Sequence, residues 1–171
     1  MSASITVGDN LKIQYVSVVD YDDFYKKIVR WFELKGYSFR EVEYRDIEDA
    51  KGKSFEIIWE ATNNVDDYAK FVIKMETMAL GFQKLEMEKD GKKIKTNKAN
   101  FTIKIDSKII MDYQDQFGNG FKKILREMYD KYIIPSRISN YKQSLEDDTN
   151  ELMAEIKSFF AMFGAAVSQS Y

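Results

Sequence analysis

The amino-acid sequence predicts an α+β fold, with a single antiparallel sheet between helices at the two ends of the chain. Apolar residues recur at helical spacing over 20–35 and again over 137–163. Between residues 37 and 105, by contrast, apolar and polar residues alternate in short segments, as they do in half-buried strands. Because these strands follow one another without helices between them, the pattern indicates α+β rather than α/β.

A strand and a helix open the chain. Residues 11–19 alternate before turning fully apolar, which indicates the strand. Asp20 supplies an N-cap for a helix predicted over 20–35, and Gly36 supplies its C-terminal stop. One face of this helix is apolar and consists of Tyr21, Phe24, Tyr25, Ile28 and Phe32.

About five antiparallel strands are predicted after this helix. The alternating segments are 37–44, 55–61, 71–75, 78–88 and 99–105. The first of them changes phase midway, which is typical of a β-bulge. Asp90-Gly91 predicts a tight hairpin, because both central residues of a type I′ turn need positive φ. Thr102 and Lys104 occupy the second face of the last strand, so one side of the sheet faces water.

Two helices are predicted at the C-terminal end. Helical spacing over 121–132 predicts the first, which Pro135 ends or bends. The second spans about 137–163, and its apolar face consists of Ile138, Tyr141, Leu145, Leu152, Ile156, Phe159 and Phe163. We therefore expect a sheet domain over residues 1–133, with residues 134–171 packing on it or on a partner.

The dry face of the predicted sheet needs a cover. The first helix and the long C-terminal helix are the elements available for it. This layout is similar to a helix-grip fold, in which a curved antiparallel sheet wraps around a long C-terminal helix. The similarity is one of architecture, and no motif adds to it.

Three runs of sequence resemble small archaeal cytosolic proteins of unassigned function. They are Gly-Lys-Lys-Ile-Lys-Thr-Asn-Lys at 91–98, Met-Tyr-Asp-Lys-Tyr-Ile-Ile-Pro-Ser-Arg-Ile at 128–138, and Trp59-Glu60-Ala61 followed by Val65-Asp66-Asp67-Tyr68. The resemblance covers roughly residues 20–163. It implies an archaeal cytosolic origin and no particular activity.

Composition disfavours catalysis. The 171 residues include no histidine and no cysteine, which removes imidazole acid–base chemistry, thiolate nucleophiles and zinc–thiolate sites. The acidic pairs Asp22-Asp23, Asp66-Asp67 and Asp147-Asp148 are typical of helix caps and turns, because adjacent side chains point in different directions. We expect a non-enzymatic protein without a metal or cofactor.

A cytoplasmic location is expected from three further observations. The net charge of -2 gives no general attraction to nucleic acid or to an acidic membrane. No apolar run reaches the length of a membrane-spanning helix, and the N-terminus does not resemble a signal peptide.

The C-terminal helix carries the leading functional hypothesis, which is contact with a protein partner or a second copy of the chain. Around Phe159 it is apolar nearly all round, and a surface helix needs only one apolar stripe. The predicted contact residues are Leu152, Ile156, Phe159, Phe160 and Phe163. Packing on the home sheet is the alternative, and attachment to a membrane surface is disfavoured because the helix is acidic.

A second hypothesis is a carrier of a small apolar ligand, held between the sheet and the terminal helix. A curved sheet rich in aromatic side chains can enclose such a cavity. The predicted lining residues are Trp59, Phe71, Phe101 and Ile103. Ordinary core packing is the alternative, because aromatic residues favour strands in any case.

A third hypothesis concerns the lysine-rich hairpin at 84–98, which has the charge to contact RNA phosphates. The candidate residues are Lys92, Lys93, Lys95 and Lys98. The hairpin lacks arginine and stacking aromatic residues, so protection of an exposed strand edge by lysine is the favoured alternative.

Overall fold

The computed structural model describes residues 3–50, 52–114, 131, 134–162 and 166–167. Within these ranges the chain forms one antiparallel sheet and two helices, which confirms the predicted α+β class. The strands are β1 (Ala3–Val19), β2 (Ser38–Asp49), β3 (Gly52–Asn64), β4 (Ala69–Lys89), β5 (Lys92–Met111) and β6 (Ala166–Val167). The helices are α1 (Tyr21–Leu34) and α2 (Ile134–Met162).

The sheet is curved and open, and its strand order is β2-β3-β4-β5-β1-β6. The first strand of the chain therefore lies beside the last long one. The predicted segments 71–75 and 78–88 belong to the single strand β4, whose register with β5 shifts between Leu80 and Gln83. Another shift lies between Glu41 and Glu43 of β2, at the phase change that predicted a bulge.

Local signals fix both ends of α1. The Asp20 carboxylate accepts a hydrogen bond of 3.1 Å from the amide of Asp23 and so caps the helix. The amide of Tyr21 donates to the side-chain oxygen of Asn97 on β5, at 3.2 Å. At the other end, Gly36 takes a φ of 80°, the left-handed conformation that stops a helix. The hydrogen bond from Tyr21 to Asn97 thus ties the first turn of α1 to the sheet.

The hairpin between β4 and β5 extends past the neighbouring strands. Asp90 and Gly91 have φ values of 53° and 74°, as the type I′ prediction requires. Pairing of β4 with β3 reaches Phe82, and pairing of β5 with β1 reaches Asn97. Beyond those two residues, the arms of the hairpin pair with each other among the described strands.

The core lies between the inner face of the sheet and the two helices. Helix α1 buries Phe24, Ile28 and Phe32 in it. Polar contacts join the exposed sides of the helices, where Trp31 Nε1 and Lys35 Nζ of α1 both donate to the Glu151 carboxylate of α2, at 3.2 and 2.5 Å. The helices are therefore fixed to each other as well as to the sheet.

Two sequence predictions fall outside the described residues, namely the helix over 121–132 and the position of Phe163. Pro135 is the second described residue of α2, and Lys131, four residues earlier, is also helical. Within the described ranges, neither helix has the length and apolar character needed to cross a bilayer.

Candidate functional site

The structure places the predicted partner-contact residues in the core of the chain itself. Leu152, Ile156, Phe159 and Phe160 have no exposed surface. The Phe160 ring stacks on Tyr15 of β1, with centroids 4.3 Å apart, and contacts Phe24 of α1 on another side. The expectation that these four side chains form a partner surface is therefore corrected. The end of α2 is apolar on two sides because the curved sheet and α1 both pack against it.

The predicted cavity residues are also packed core. Trp59, Phe71, Phe101 and Ile103 lie on the inner face of the sheet and are buried. Aromatic neighbours fill the space beside three of them. Between ring centroids, Tyr25 lies 4.9 Å from Trp59, Phe160 lies 5.4 Å from Phe101, and Tyr141 lies 6.3 Å from Phe71. None of the four lines the clefts described below.

The lysines predicted to contact nucleic acid are exposed on the projecting hairpin. Glutamates at facing positions partly neutralise their positive charge. Lys92, Lys93, Lys95 and Lys98 all face solvent. Glu86 lies directly opposite Lys95, and Glu88 lies directly opposite Lys93. Opposite charges at facing positions stabilise a hairpin and reduce the field that attracts phosphate. Contact with nucleic acid stays a prediction.

A cleft at the start of α1 brings together residues that the sequence did not single out. It has a volume of about 350 Å³ and lies between the first turn of α1 and strands β2, β3 and β4. We call it the α1 cleft. Its lining residues are Tyr21, Asp22, Tyr44, Asp46, Lys53, Ser54, Phe55, Ile57, Phe82 and Lys84.

Strand register explains how the α1 cleft is assembled. Tyr44 lies directly opposite Ile57, and Asp46 lies directly opposite Phe55, so β2 and β3 contribute matched pairs. Lys53 lies opposite Phe82, which adds the irregular part of β4. Facing residues in an antiparallel pair have Cβ atoms about 5 Å apart. Three successive cross-strand pairs thus supply most of the lining.

Aromatic contacts hold the apolar wall of the α1 cleft in place. The ring of Phe55 meets the ring of Tyr21 edge-on, at 4.9 Å between centroids, and the ring of Phe82 in the same manner at 5.0 Å. Tyr44 also stacks on Phe55, with ring centroids 6.4 Å apart. Such packing leaves few alternative side-chain conformations, so the wall exists before any ligand arrives.

Tyr21 lines the cleft, and its hydroxyl is buried without a hydrogen-bond partner among the described residues. The residue is 8% exposed. Burial raises the pKa of this hydroxyl, and nearby Tyr25, Glu41, Tyr44 and Asp22 raise it further, so the group stays protonated. A buried hydroxyl without a partner costs about 1–3 kcal/mol. A residue that lines the cleft therefore carries one buried hydroxyl without a partner among the described residues.

Four charged side chains line the α1 cleft: Asp22, Asp46, Lys53 and Lys84. All four are exposed. In the part of the chain that the structure describes, their side chains form no ion pair within 4.0 Å and no hydrogen bond. The cleft thus combines an apolar wall with two unpaired charges of each sign.

Neighbouring clefts differ in character. A polar cleft of about 680 Å³ shares Asp22 and Lys84 with the α1 cleft and runs along the base of the hairpin past Glu86 and Lys95. An apolar groove of about 380 Å³ lies between the hairpin and the end of α2. Small-molecule sites usually combine apolar walls with a few placed polar groups. The α1 cleft fits that description better than its polar neighbour, although the neighbour is larger.

The polar groups that line these clefts are groups that can bind a ligand. Within the described ranges, no three carboxylate side chains come close enough together to hold a metal ion. The polar groups of the α1 cleft are carboxylates, ammonium groups and hydroxyls, which hold a ligand by charge and hydrogen bonds.

Comparisons of the chain with protein-family models, with curated proteins and with solved structures found no match. The side chains of the α1 cleft, together with general physical chemistry, are therefore the basis for inferring a function.

Proposed function

We propose that the protein binds a small molecule with an apolar group in the α1 cleft, without catalysis. One observation carries the proposal: a cleft of about 350 Å³ has a wall of packed aromatic and aliphatic side chains, with unpaired polar groups beside it. Its volume lies at the lower end of the range for small-molecule sites, about 300–1,000 Å³. This function is closest to the carrier hypothesis from the sequence, at a different place in the fold.

Burial of apolar surface supplies the attraction. Complete burial of an aromatic group against the wall formed by Phe55, Ile57 and Phe82 removes about 150–250 Å² of its surface, and the open cleft buries less than that. At about 25 cal/mol per Å², the gross gain is at most about 4–6 kcal/mol before the cost of association. Binding by this wall alone is therefore weak, and ligand tests need concentrations up to the millimolar range.

The Tyr21 hydroxyl supports a polar group on the ligand. The hydroxyl is buried, so a ligand acceptor reaches it only if the side chains that cover it shift, and the new hydrogen bond would then remove the cost of leaving it unpaired. The gain is specific to ligands that carry an acceptor next to the apolar group, which gives the α1 cleft a basis for selecting among apolar molecules.

Amide NMR spectra recorded during titration with small apolar probes test the proposal. Indole, p-cresol and cyclohexanol are added separately to the labelled full chain, up to millimolar concentration. We expect saturable shifts at residues 53–57 and 82–84, which line or adjoin the cleft. Shifts elsewhere alone, or no saturable shift with any probe, would overturn the proposal.

A charge placed on the cleft wall provides the matched variant. Phe82 is half-buried and lines the α1 cleft, so Phe82→Glu should weaken probe binding about tenfold or more by making the wall polar. Leu85→Glu is the control, because Leu85 lies on the hairpin outside this cleft. Equal probe affinities in the two folded variants would contradict the assignment of the site.

Self-association at the end of α2 is a second candidate function, favoured by a different observation. Met162 is 64% exposed and lines the apolar groove with Val18, Met87 and Ile94. Light scattering after size-exclusion chromatography should show a dimer that Met87→Asp/Met162→Asp converts to a monomer. A wild-type chain that stays monomeric at all concentrations would reject this candidate. The cytoplasmic location and the archaeal resemblance stay predictions.

A further inference from the structure

We infer that the α1 cleft selects a zwitterion of amino-acid size, with an ammonium and a carboxylate group beside an apolar side chain. The inference builds on the proposed function, because it names the ligand class for the same cleft. It follows from the four charged side chains at the cleft and from the apolar wall between them.

Each charged residue of the α1 cleft adjoins the apolar wall. Asp22 follows Tyr21 in the chain, and Lys84 lies two residues after Phe82. On the strands, Asp46 lies directly opposite Phe55, and Lys53 lies directly opposite Phe82. Both signs of charge are therefore available to a ligand whose apolar group touches Phe55 and Phe82.

The outer face of the same sheet carries both paired and unpaired charges. Arg40 Nη2 lies 2.5 Å from Glu60 Oε1 and Lys104 Nζ lies 3.2 Å from Glu76 Oε1, whereas Lys12 and Lys74 form no ion pair among the described residues. At the α1 cleft, none of the four side chains has an ion-pair partner within the described ranges. Two carboxylates and two ammonium groups thus remain available there.

The balance of charge at the cleft decides the ligand class. A simple carboxylate gains attraction from Lys53 and Lys84 but meets repulsion from Asp22 and Asp46, and a simple amine meets the reverse. A ligand that carries both charges can satisfy both sets, and complementary charge of this kind mainly provides specificity.

The size of the α1 cleft sets the scale of the ligand. At about 30 Å³ for each water molecule in the liquid, 350 Å³ is the space of about a dozen waters. That space suits an α-amino acid with an aromatic or branched side chain. A phospholipid offers a zwitterionic headgroup too, but its acyl chains far exceed this space.

Three probes with the same ring test the charge requirement at neutral pH. L-phenylalanine carries both charges, 3-phenylpropionate lacks the ammonium group, and 2-phenylethylamine lacks the carboxylate. In NMR titrations of the full chain, we expect L-phenylalanine to bind in the α1 cleft about three- to tenfold more tightly than either of the others, because each exposed charge contact adds little. A short-chain phosphatidylethanolamine, below its micelle concentration, is the fourth probe.

Paired charge variants show which side chains provide the preference. Asp22→Asn/Asp46→Asn should remove the advantage of L-phenylalanine over 3-phenylpropionate. Lys53→Gln/Lys84→Gln should remove its advantage over 2-phenylethylamine. All four residues are exposed, so the fold should tolerate these changes. Lys95→Gln, on the hairpin outside the α1 cleft, is the control that should leave all three affinities unchanged.

The outcomes separate the two proposals. Equal affinity for the three ring probes, or a preference for phosphatidylethanolamine over the amino acid, overturns the zwitterion inference and leaves the apolar site standing. If neither these probes nor the uncharged ones bind in the α1 cleft, the proposed function itself fails. A preference that persists in both double variants also overturns the inference, because the selecting charges would then lie elsewhere.

Discussion

The hydroxyls of Ser107 on β5 and Thr149 on α2 lie 3.0 Å apart and share a hydrogen bond inside the core. Both residues are almost completely buried. The Thr149 hydroxyl donates its proton to the carbonyl of Leu145, one turn earlier in the helix, at 2.6 Å, so in the shared hydrogen bond it accepts from Ser107. This pair fixes the position of α2 on the sheet, and Gly8 of β1 lies directly beside it.

Gly8→Ala should destabilise the protein. A Cβ atom at this position would lie 2.7 Å from Ser107 Oγ, which is closer than real contacts allow, and 3.2 Å from Leu11 Cδ1, which is a tight contact. Overpacking of this kind costs about 1–3 kcal/mol. Urea unfolding should show that loss in the free energy of unfolding. Thr6→Ala, at an exposed position on the same strand, should leave it nearly unchanged, and an equally stable Gly8→Ala variant would contradict the tight contact.

Thr149→Val alone should lower the free energy of unfolding more than the double variant Ser107→Ala/Thr149→Val does. Valine keeps the shape of threonine but leaves the Ser107 hydroxyl buried without this partner, at a cost of about 1–3 kcal/mol. Ser107→Ala/Thr149→Val removes both hydroxyls and should recover part of the loss. A double-mutant cycle from denaturant unfolding measures the coupling. Strictly additive costs would show that the two hydroxyls do not interact.

Two buried tyrosines should respond in opposite ways to loss of the hydroxyl. Tyr21→Phe removes a group without a partner, so it should leave stability unchanged or raise it by about 1 kcal/mol. Tyr37→Phe removes a hydroxyl that donates to Asp148 of α2 at 2.8 Å, so it should lower stability by about 1–2 kcal/mol. Thermal unfolding of the two variants measures the contrast. A loss at Tyr21 as large as at Tyr37 would mean that its hydroxyl has a partner in solution.

The ion pair of Lys35 with Glu151 should make stability depend on pH. Hydrogen bonding to Lys35, and then to Trp31, lowers the pKa of Glu151 from its ordinary value of 4.5. The carboxylate binds its proton more weakly in the folded state, so its contribution is present above pH 4.5. That contribution is lost as the pH falls through the lowered folded pKa. Hydrogen bonding to Glu151 raises the pKa of Lys35, so the lysine contribution is lost only as the pH rises above 10.5.

Glu151→Gln tests this dependence. Between pH 4.5 and pH 10.5 the variant should be slightly less stable than the wild type. The difference should be small because the carboxylate is exposed. The difference should shrink on acidification below pH 4.5. Melting temperatures of both proteins from pH 2 to pH 8 provide the measurement, and a difference that stays constant with pH would show that the charge of Glu151 is not involved.

Local signals in the sequence were sufficient for some elements. The N-cap Asp20, the left-handed stop at Gly36 and the Asp90-Gly91 turn each depend on a few neighbouring residues, and each appears in the structure as predicted. Such features need no knowledge of the tertiary fold, because their hydrogen bonds and backbone angles are local.

Features that depend on distant residues were not predictable in the same way. Phe159 and Phe160 are adjacent, and whether both are buried depends on α1, whose Phe24 lies 5.3 and 5.4 Å from their rings. The α1 cleft depends on the register that places Lys53 opposite Phe82, next to an irregular part of β4. Register and helix placement arise from the whole sheet, and no short motif encodes them.

The pairing of β1 with β5 also has a consequence during synthesis of the chain. Ala3 pairs with Met111, so β1 finds this neighbour only after β5 has been synthesised. Until β5 is available, β1 and its apolar inner face lack this partner strand, while α1 and the hairpins form from contacts nearer in the sequence. Folds dominated by such distant pairings form slowly, and their exposed strands invite aggregation in the interval. The rate of translation through β5 therefore bears directly on the yield of the folded protein.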